Sequence, residues 1–124
     1  MSLFTAAELH YLTTERLLGR MATVGEDGTP HIAPVGWSLN ADHKVIEIGG
    51  HSLEKTKKYR DVERHGRAAI VIDDVLPPWR PRGIEIRGRA ETIGGSEPRI
   101  RLHPERIIGW GLDEGGRGRN ARNV

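Results

Sequence analysis

The sequence predicts a small, mainly antiparallel β-barrel or curled sheet carrying two helices. Three observations predict it: about six apolar runs of strand length, hairpin chemistry between the first two of them, and no alternation of strands with long helices of the kind that builds a doubly wound sheet. At 124 residues the chain is expected to form one domain. With one Phe, two Tyr and three Trp it is poor in large apolar side chains, so part of its burial is expected to come from an oligomer interface.

Thr5-Ala6-Ala7-Glu8 has the pattern of a capping box, and Leu9 and Leu12 follow at helical spacing, so a short helix opens the chain. "RLLGRMATV" runs into "GEDGTP", whose Asp27-Gly28 pair supplies the positive backbone angles of a tight hairpin, and "HIAPVGWSL" returns. A polar turn, "NADHK", leads to "VIEIGG", where Ile46 and Ile48 share one face; these three runs are expected to meander side by side. Leu53, Thr56, Tyr59 or Arg60, and Val62 or Glu63 recur at intervals of three to four, which predicts a second helix of about three turns.

"RAAIVIDD" is β-branched and strand-sized, a buried strand. "VLPPWRPR" is expected as a loop, because prolines lack ladder donors, and it feeds a long strand, "GIEIRGRAETI", bent at Gly88. "RIRLHPERIIGWGL" reads as one or two short strands interrupted at Pro104. The domain is placed at residues 1–112, and the Gly/Arg-rich "DEGGRGRNARNV", residues 113–124, is expected to be a mobile tail.

The net charge of +2 is the residue of 19 basic against 17 acidic side chains, and aromatic stacking platforms are scarce, so no nucleic-acid partner is expected. The absence of cysteine removes thiolate catalysis and cysteine metal sites and agrees with a cytoplasmic location. No apolar run reaches membrane-spanning length, and "MSLFTAAELH" lacks the layout of a secretion signal, so no membrane association is expected. The six histidines show no ligand spacing, and no metal is expected. Dinucleotide, phosphate-loop, nucleophile-elbow and zinc-protease signatures are all missing, and no catalytic residue is singled out.

"GHSLEKTKKYRDV" carries the most informative feature. Its lysines 55, 57 and 58 fall at the start of the second helix, where backbone dipoles are already positive. Either they coat a solvated face, with Glu54 pairing with Lys58, or Thr56, Lys57 and Lys58 offer a hydroxyl, two ammonium groups and backbone N–H donors to one phosphate.

The order "GRMATVGEDGTPHIAPVGWSLN…KVIEIGGHSLEKTKKYRDVERHGRAAIVIDD" resembles the pyridoxamine 5'-phosphate oxidase-like superfamily of flavin- and deazaflavin-binding proteins. "HSLEKTKKYRDV", "PWRPRGIEIRGRAE" and "RLHPERIIGWGL" are similar to its F-420-dependent branch, and the resemblance runs from about Phe4 to Leu112. It implies a six-stranded split β-barrel, FMN-binding-like, that forms a homodimer with cofactor sites at the interface. It implies an oxidoreductase that moves hydride from coenzyme F-420, or alternatively FMN, to a small-molecule redox acceptor, with a non-catalytic flavin- or deazaflavin-binding module as a further alternative. By resemblance, Thr56, Lys57 and Lys58 grip the cofactor phosphate. The backbone from His31 through Ala33, Pro34 and Val35 to Gly36 borders the ring, as does the edge containing Gly49, Gly50 and His51. Ala33 stands where family members often carry Arg, which weighs against FMN. Trp79, Arg80 and Arg82 belong to a loop shared with the branch, and arginines suit the carboxylates of the F-420 tail. Trp79 can equally pack across the dimer, and Trp110 is assigned to core or interface.

Overall fold

The computed structural model describes residues 3–124. Helix α1 (Ala6–Thr14) starts at the expected capping box: the Glu8 N–H donates to Thr5 Oγ1 at 3.1 Å and the Thr5 N–H to Glu8 Oε1 at 2.9 Å. The strands are β1 (Gly19–Val24), β2 (Pro30–Val35), β3 (Trp37–Leu39), β4 (Ile46–Ile48), β5 (Arg67–Leu76), β6 (Arg80–Ile93), β7 (Arg99–Trp110) and β8 (Arg119–Asn123). Between β4 and β5 lie a 3-10 turn, Leu53–Lys55, and helix α2 (Lys57–His65). No helix among the described residues is long and apolar enough to cross a membrane.

All strand pairs are antiparallel, in the order β2-β1-β5-β6-β7-β4-β3. The two ends of that path, β2 and β3, are consecutive in the chain and separated by Gly36 alone, so the sheet curls until its ends meet. Taken as one bent strand, β2 and β3 reconcile the expected six-stranded barrel with the strands found; β8 is added outside the path, on the edge of β7 beyond β4. Inward positions are β-branched and wholly covered: Ile46, Ile48, Ile84, Ile86, Ile100 and Ile107 have no exposed surface. Tyr11 and Leu12 of α1, and Tyr59 and Val62 of α2, complete this core.

Several expectations are corrected. The first three runs do pair in succession, β1 with β2 and β3 with β4, but the middle run bends at Gly36 and so stands at both ends of the path. "VLPPWRPR" is not a free loop. Val75 pairs with Pro81, and β6 has only β5 beside it there, since β7 joins at Gly83, so the missing proline N–H costs no ladder bond. Strand β7 continues through Pro104 because a bulge opposite Arg87 and Gly88 absorbs one residue; a Cβ at position 88 would lie 1.9 Å from the His103 carbonyl oxygen. The second helix begins at Lys57, not Leu53. Residues 113–124, expected as a tail, carry strand β8. The Asp113 carboxylate accepts from the N–H groups of Arg117 (3.0 Å) and Gly118 (2.7 Å), closing a turn that sends β8 back along β7.

Candidate functional site

Thr56 is the N-cap of α2. Its Oγ1 accepts from the Tyr59 N–H at 3.4 Å and donates to the Leu53 carbonyl at 2.6 Å, so this hydroxyl is spent on starting the helix. The N–H groups of Lys57 and Lys58 lie in the first turn, where no carbonyl of the helix itself is placed to accept from them.

The two lysines have different surroundings. Lys57 Nζ lies 3.1 Å from Asp61 Oδ1, one helical turn on, and Asp61 is 1% exposed. Asp61 also accepts from Thr23 Oγ1 of β1 at 2.8 Å, pinning α2 to the barrel. Burial pushes the Asp61 carboxyl up, but the Thr23 hydroxyl and Lys57 outweigh it and hold the group below the usual aspartate range; His31, opposite Thr23 on β2, adds to the effect. Lys58 is half-buried and meets no carboxylate within ion-pair distance among the described residues. The expected Glu54–Lys58 pair is not formed; Lys57–Asp61 takes the i,i+4 role. A cavity of about 600 Å³ beside Lys57 sets Lys57, Arg60 and Arg64 against Glu26, Asp27 and Asp61, a balanced set. The uncompensated charge near the start of α2 therefore belongs to Lys55 and Lys58, outside that cavity.

Along β2, His31 and Ala33 are half-buried, Pro34 is exposed and Val35 is buried. Gly49, Gly50 and His51 are exposed where the chain leaves β4. A Cβ placed on Gly36 or Gly49 would meet nothing within 4 Å, so both positions leave the main chain open to a flat molecule. That open backbone, together with a cationic first turn in α2, fits a planar ring bearing a phosphate. A separate cavity of about 390 Å³ adjoins Val35 and Gly36, with Leu12, Leu17 and Leu39 among its apolar walls and Arg16 and His43 as polar ones. Trp37 closes one side, held by its Nε1–H donating to the Leu17 carbonyl at 2.7 Å.

Trp79 and Arg82 lie elsewhere. Ala69 of β5 is level with Ala22 of β1, next to the Thr23 anchor of α2, while Leu76 is seven residues further along β5, roughly 23 Å at 3.3 Å per residue. Trp79 is beyond it, at the tip of the β5–β6 hairpin, and one chain does not bring it to α2. Arg82 is engaged internally: it donates to Asp74 at 2.8 and 3.0 Å and to Glu15 at 3.1 Å, over the Tyr11 ring at 5.0 Å from its centroid. The Tyr11 phenol is pushed far up, by burial first and then by its hydrogen bond to Asp74. Asp61 and Asp74 were not among the residues singled out from the sequence. The spacing of Asp61 from Lys57 signals that pair; the 63-residue separation of Tyr11 from Asp74 leaves no local sign.

The sequence matches the family described as pyridoxamine 5'-phosphate oxidase over residues 5–124. It is 38% identical over 121 residues to a 5a,11a-dehydrotetracycline/5a,11a-dehydrooxytetracycline reductase of Streptomyces rimosus, covering 89% of this chain and 84% of that protein. Among solved structures, a conserved hypothetical protein of Mycobacterium tuberculosis superposes with a TM-score of 0.72 at 17% identity, over 88% of this chain and 86% of that one. An F-420 reductase superposes with a TM-score of 0.61 at 21% identity, over 79% and 94% of the respective chains.

Proposed function

The chain belongs to the pyridoxamine 5'-phosphate oxidase family, and from that premise we propose that it is a reductase using coenzyme F-420, with FMN as the alternative cofactor, and acting on a small conjugated acceptor. When bound, the reduced cofactor supplies a hydride. Lys58 and the free N–H groups of the first turn of α2 hold its phosphate, with Lys57 contributing whatever charge Asp61 leaves it. The β2 backbone up to Gly36 and the exposed turn at Gly49 take the flat ring. The apolar cavity against Val35 and Trp37 receives the acceptor and keeps water from it. Its size and character suit a molecule of the reductase relative's kind, a ring system with a reducible double bond.

A second copy of the chain belongs on the outward face of β2, β1 and β5, where Ile32, Val24 and Val75 are 63%, 41% and 45% exposed and Ala22 and Val71 lie on the same face by register. Such a homodimer would operate in the cytoplasm, where reduced cofactor is available. Ala33, in place of the arginine often found in the family, favours the deazaflavin over FMN.

The observation that carries the reading is the unpaired Lys58 in a helical first turn that faces no carboxylate of its own. Titrating the cofactor-free protein with F-420 and with FMN, side by side and for wild type and Lys58→Ala, tests it. F-420 is expected to bind more tightly and to lose about tenfold in affinity in the variant, a loss typical of one charge-assisted phosphate contact. Failure of both cofactors to bind, or an affinity unmoved by the variant, overturns it.

A further inference from the structure

A third cavity, about 600 Å³, opens between the tip of the β5–β6 hairpin and the turn before β8. It is lined by two indoles, Trp79 and Trp110, and three guanidinium side chains, Arg80, Arg117 and Arg119, with no acidic residue in the lining. This composition stands out against the rest of the chain. Among the described residues, nine other arginines each stand within 3.6 Å of a carboxylate, whereas these three, like Arg16, Arg60 and Arg106, make no ion pair, and unlike those they share one cavity. Of the two acids in the turn before β8, Asp113 is committed to the backbone N–H groups of Arg117 and Gly118, and Glu114 is exposed and outside the lining. Like charges gathered on one concave surface repel one another, and an anion relieves that repulsion.

The cavity is also shaped for more than a bare ion. Trp79 is 76% exposed, an unusual state for the largest apolar side chain, and it offers an open ring face. Trp110 lies against Gly83, whose missing side chain makes the space: a Cβ there would come 2.8 Å from the Trp110 ring. Gly116, at φ +67, lets the turn pass against Arg80, where a Cβ would stand 2.6 Å from Nη2. An aromatic face and a planar, always-charged guanidinium are the two groups that recognise a stacked ring and a phosphate.

We infer that this cavity binds a nucleoside polyphosphate, with the base stacked on Trp79 and the phosphates held by Arg80, Arg117 and Arg119. Within one chain the cavity lies apart from the proposed redox site, because β5 separates it from α2 by most of the length of the barrel, and the competition titration below tests whether it is equally separate in the dimer.

Isothermal titration of the whole protein with ATP, adenosine, tripolyphosphate and a short single-stranded oligonucleotide tests the inference. ATP is expected to bind at least tenfold more tightly than adenosine or tripolyphosphate, since each of those lacks one half of the recognition. Arg80→Ala with Arg119→Ala is expected to weaken ATP at least tenfold, and Trp79→Ala to weaken ATP but not tripolyphosphate. Prior saturation with FMN or F-420 is expected to leave ATP affinity unchanged. Tripolyphosphate binding as well as ATP, preference for the oligonucleotide, or competition between ATP and either redox cofactor each overturns the inference. Because the ligand comparison is made on wild-type protein, it decides the matter even if a variant fails to fold.

Discussion

Glu8 of α1 and Arg122 of β8, from opposite ends of the chain, form a two-point ion pair at 2.7 and 3.0 Å, and the Glu8 carboxylate is 2% exposed. The same guanidinium donates to the Leu3 carbonyl at 2.6 Å, while Glu8 Oε1 also accepts from the Thr5 N–H. Gly109 makes room for it: a Cβ there would sit 2.6 Å from Glu8 Oε2. A carboxylate so enclosed depends on its cation, since removing one member of a buried pair typically costs about 3 kcal/mol or more.

Arg122→Ala is therefore expected to lower stability by about 3 kcal/mol, read as a lower urea midpoint with an unchanged slope. Truncation after Leu112 removes the same cation and the β8 ladder, and is expected to destabilise at least as much. An unchanged midpoint in both would show that the two termini do not clasp in solution.

That clasp marks the limit of what the sequence discloses. Thr5 and Glu8 announce a capping box, Asp27-Gly28 a hairpin, and the alternation around Ile84 and Ile86 a strand, because each is a local pattern set by backbone geometry. Strand β8 has no apolar rhythm; it is held by pairing with β7 at separations from Trp110–Arg119 to Arg106–Asn123 and by the ion pair of its Arg122 with Glu8 at the other end of the chain. The bulge that carries β7 past Pro104 is equally non-local, requiring Gly88 on a different strand. At the candidate site, the lysines were legible and their division of labour was not. Only the folded arrangement shows that Asp61 claims Lys57 and leaves Lys58.

The two lysines are expected to separate in experiment. Lys57→Ala leaves Asp61 buried with Thr23 and a distant Arg64 at 3.8 Å, so it is expected to reduce thermal stability as well as cofactor affinity. Lys58→Ala breaks no ion pair and is expected to reduce affinity alone. Parallel melting curves and cofactor titrations check this; a loss of stability in Lys58→Ala equal to that in Lys57→Ala would assign both lysines to the fold.

Acid should expose the same carboxylates. Asp74 is held low chiefly by its hydrogen bond from Arg82, and Asp61 is held low by the Thr23 hydroxyl and Lys57 against the effect of burial. A carboxyl depressed in the folded state contributes stability that is fully present above its unfolded value of about 3.9 and is lost as pH falls through the lower folded value. Wild-type stability is thus expected to decline below about pH 4, and Asp74→Asn to flatten that decline while lowering stability at pH 7. A pH profile of urea midpoints between pH 2.5 and 7, a window chosen to span the carboxylate range, tests it; identical slopes for the two proteins would refute the role of Asp74.

Two glycines on the barrel should respond in opposite ways to the same added methyl group. At Gly88 the methyl meets main chain, the His103 carbonyl at 1.9 Å and the Glu105 nitrogen at 3.1 Å, and neither can rotate away as a side chain would. Gly88→Ala must open the bulge between β6 and β7 and is expected to cost about 3 kcal/mol, at the upper end of overpacking penalties. At Gly49 the methyl meets nothing within 4 Å, so Gly49→Ala is expected to leave the melting temperature within about 1 °C, as for a surface substitution that disturbs no packing. The space it fills is the space assigned to the cofactor ring, and cofactor affinity is expected to fall several-fold in Gly49→Ala. Full affinity in a normally stable Gly49→Ala protein would place the ring elsewhere on the barrel, whatever becomes of the phosphate contact at Lys58.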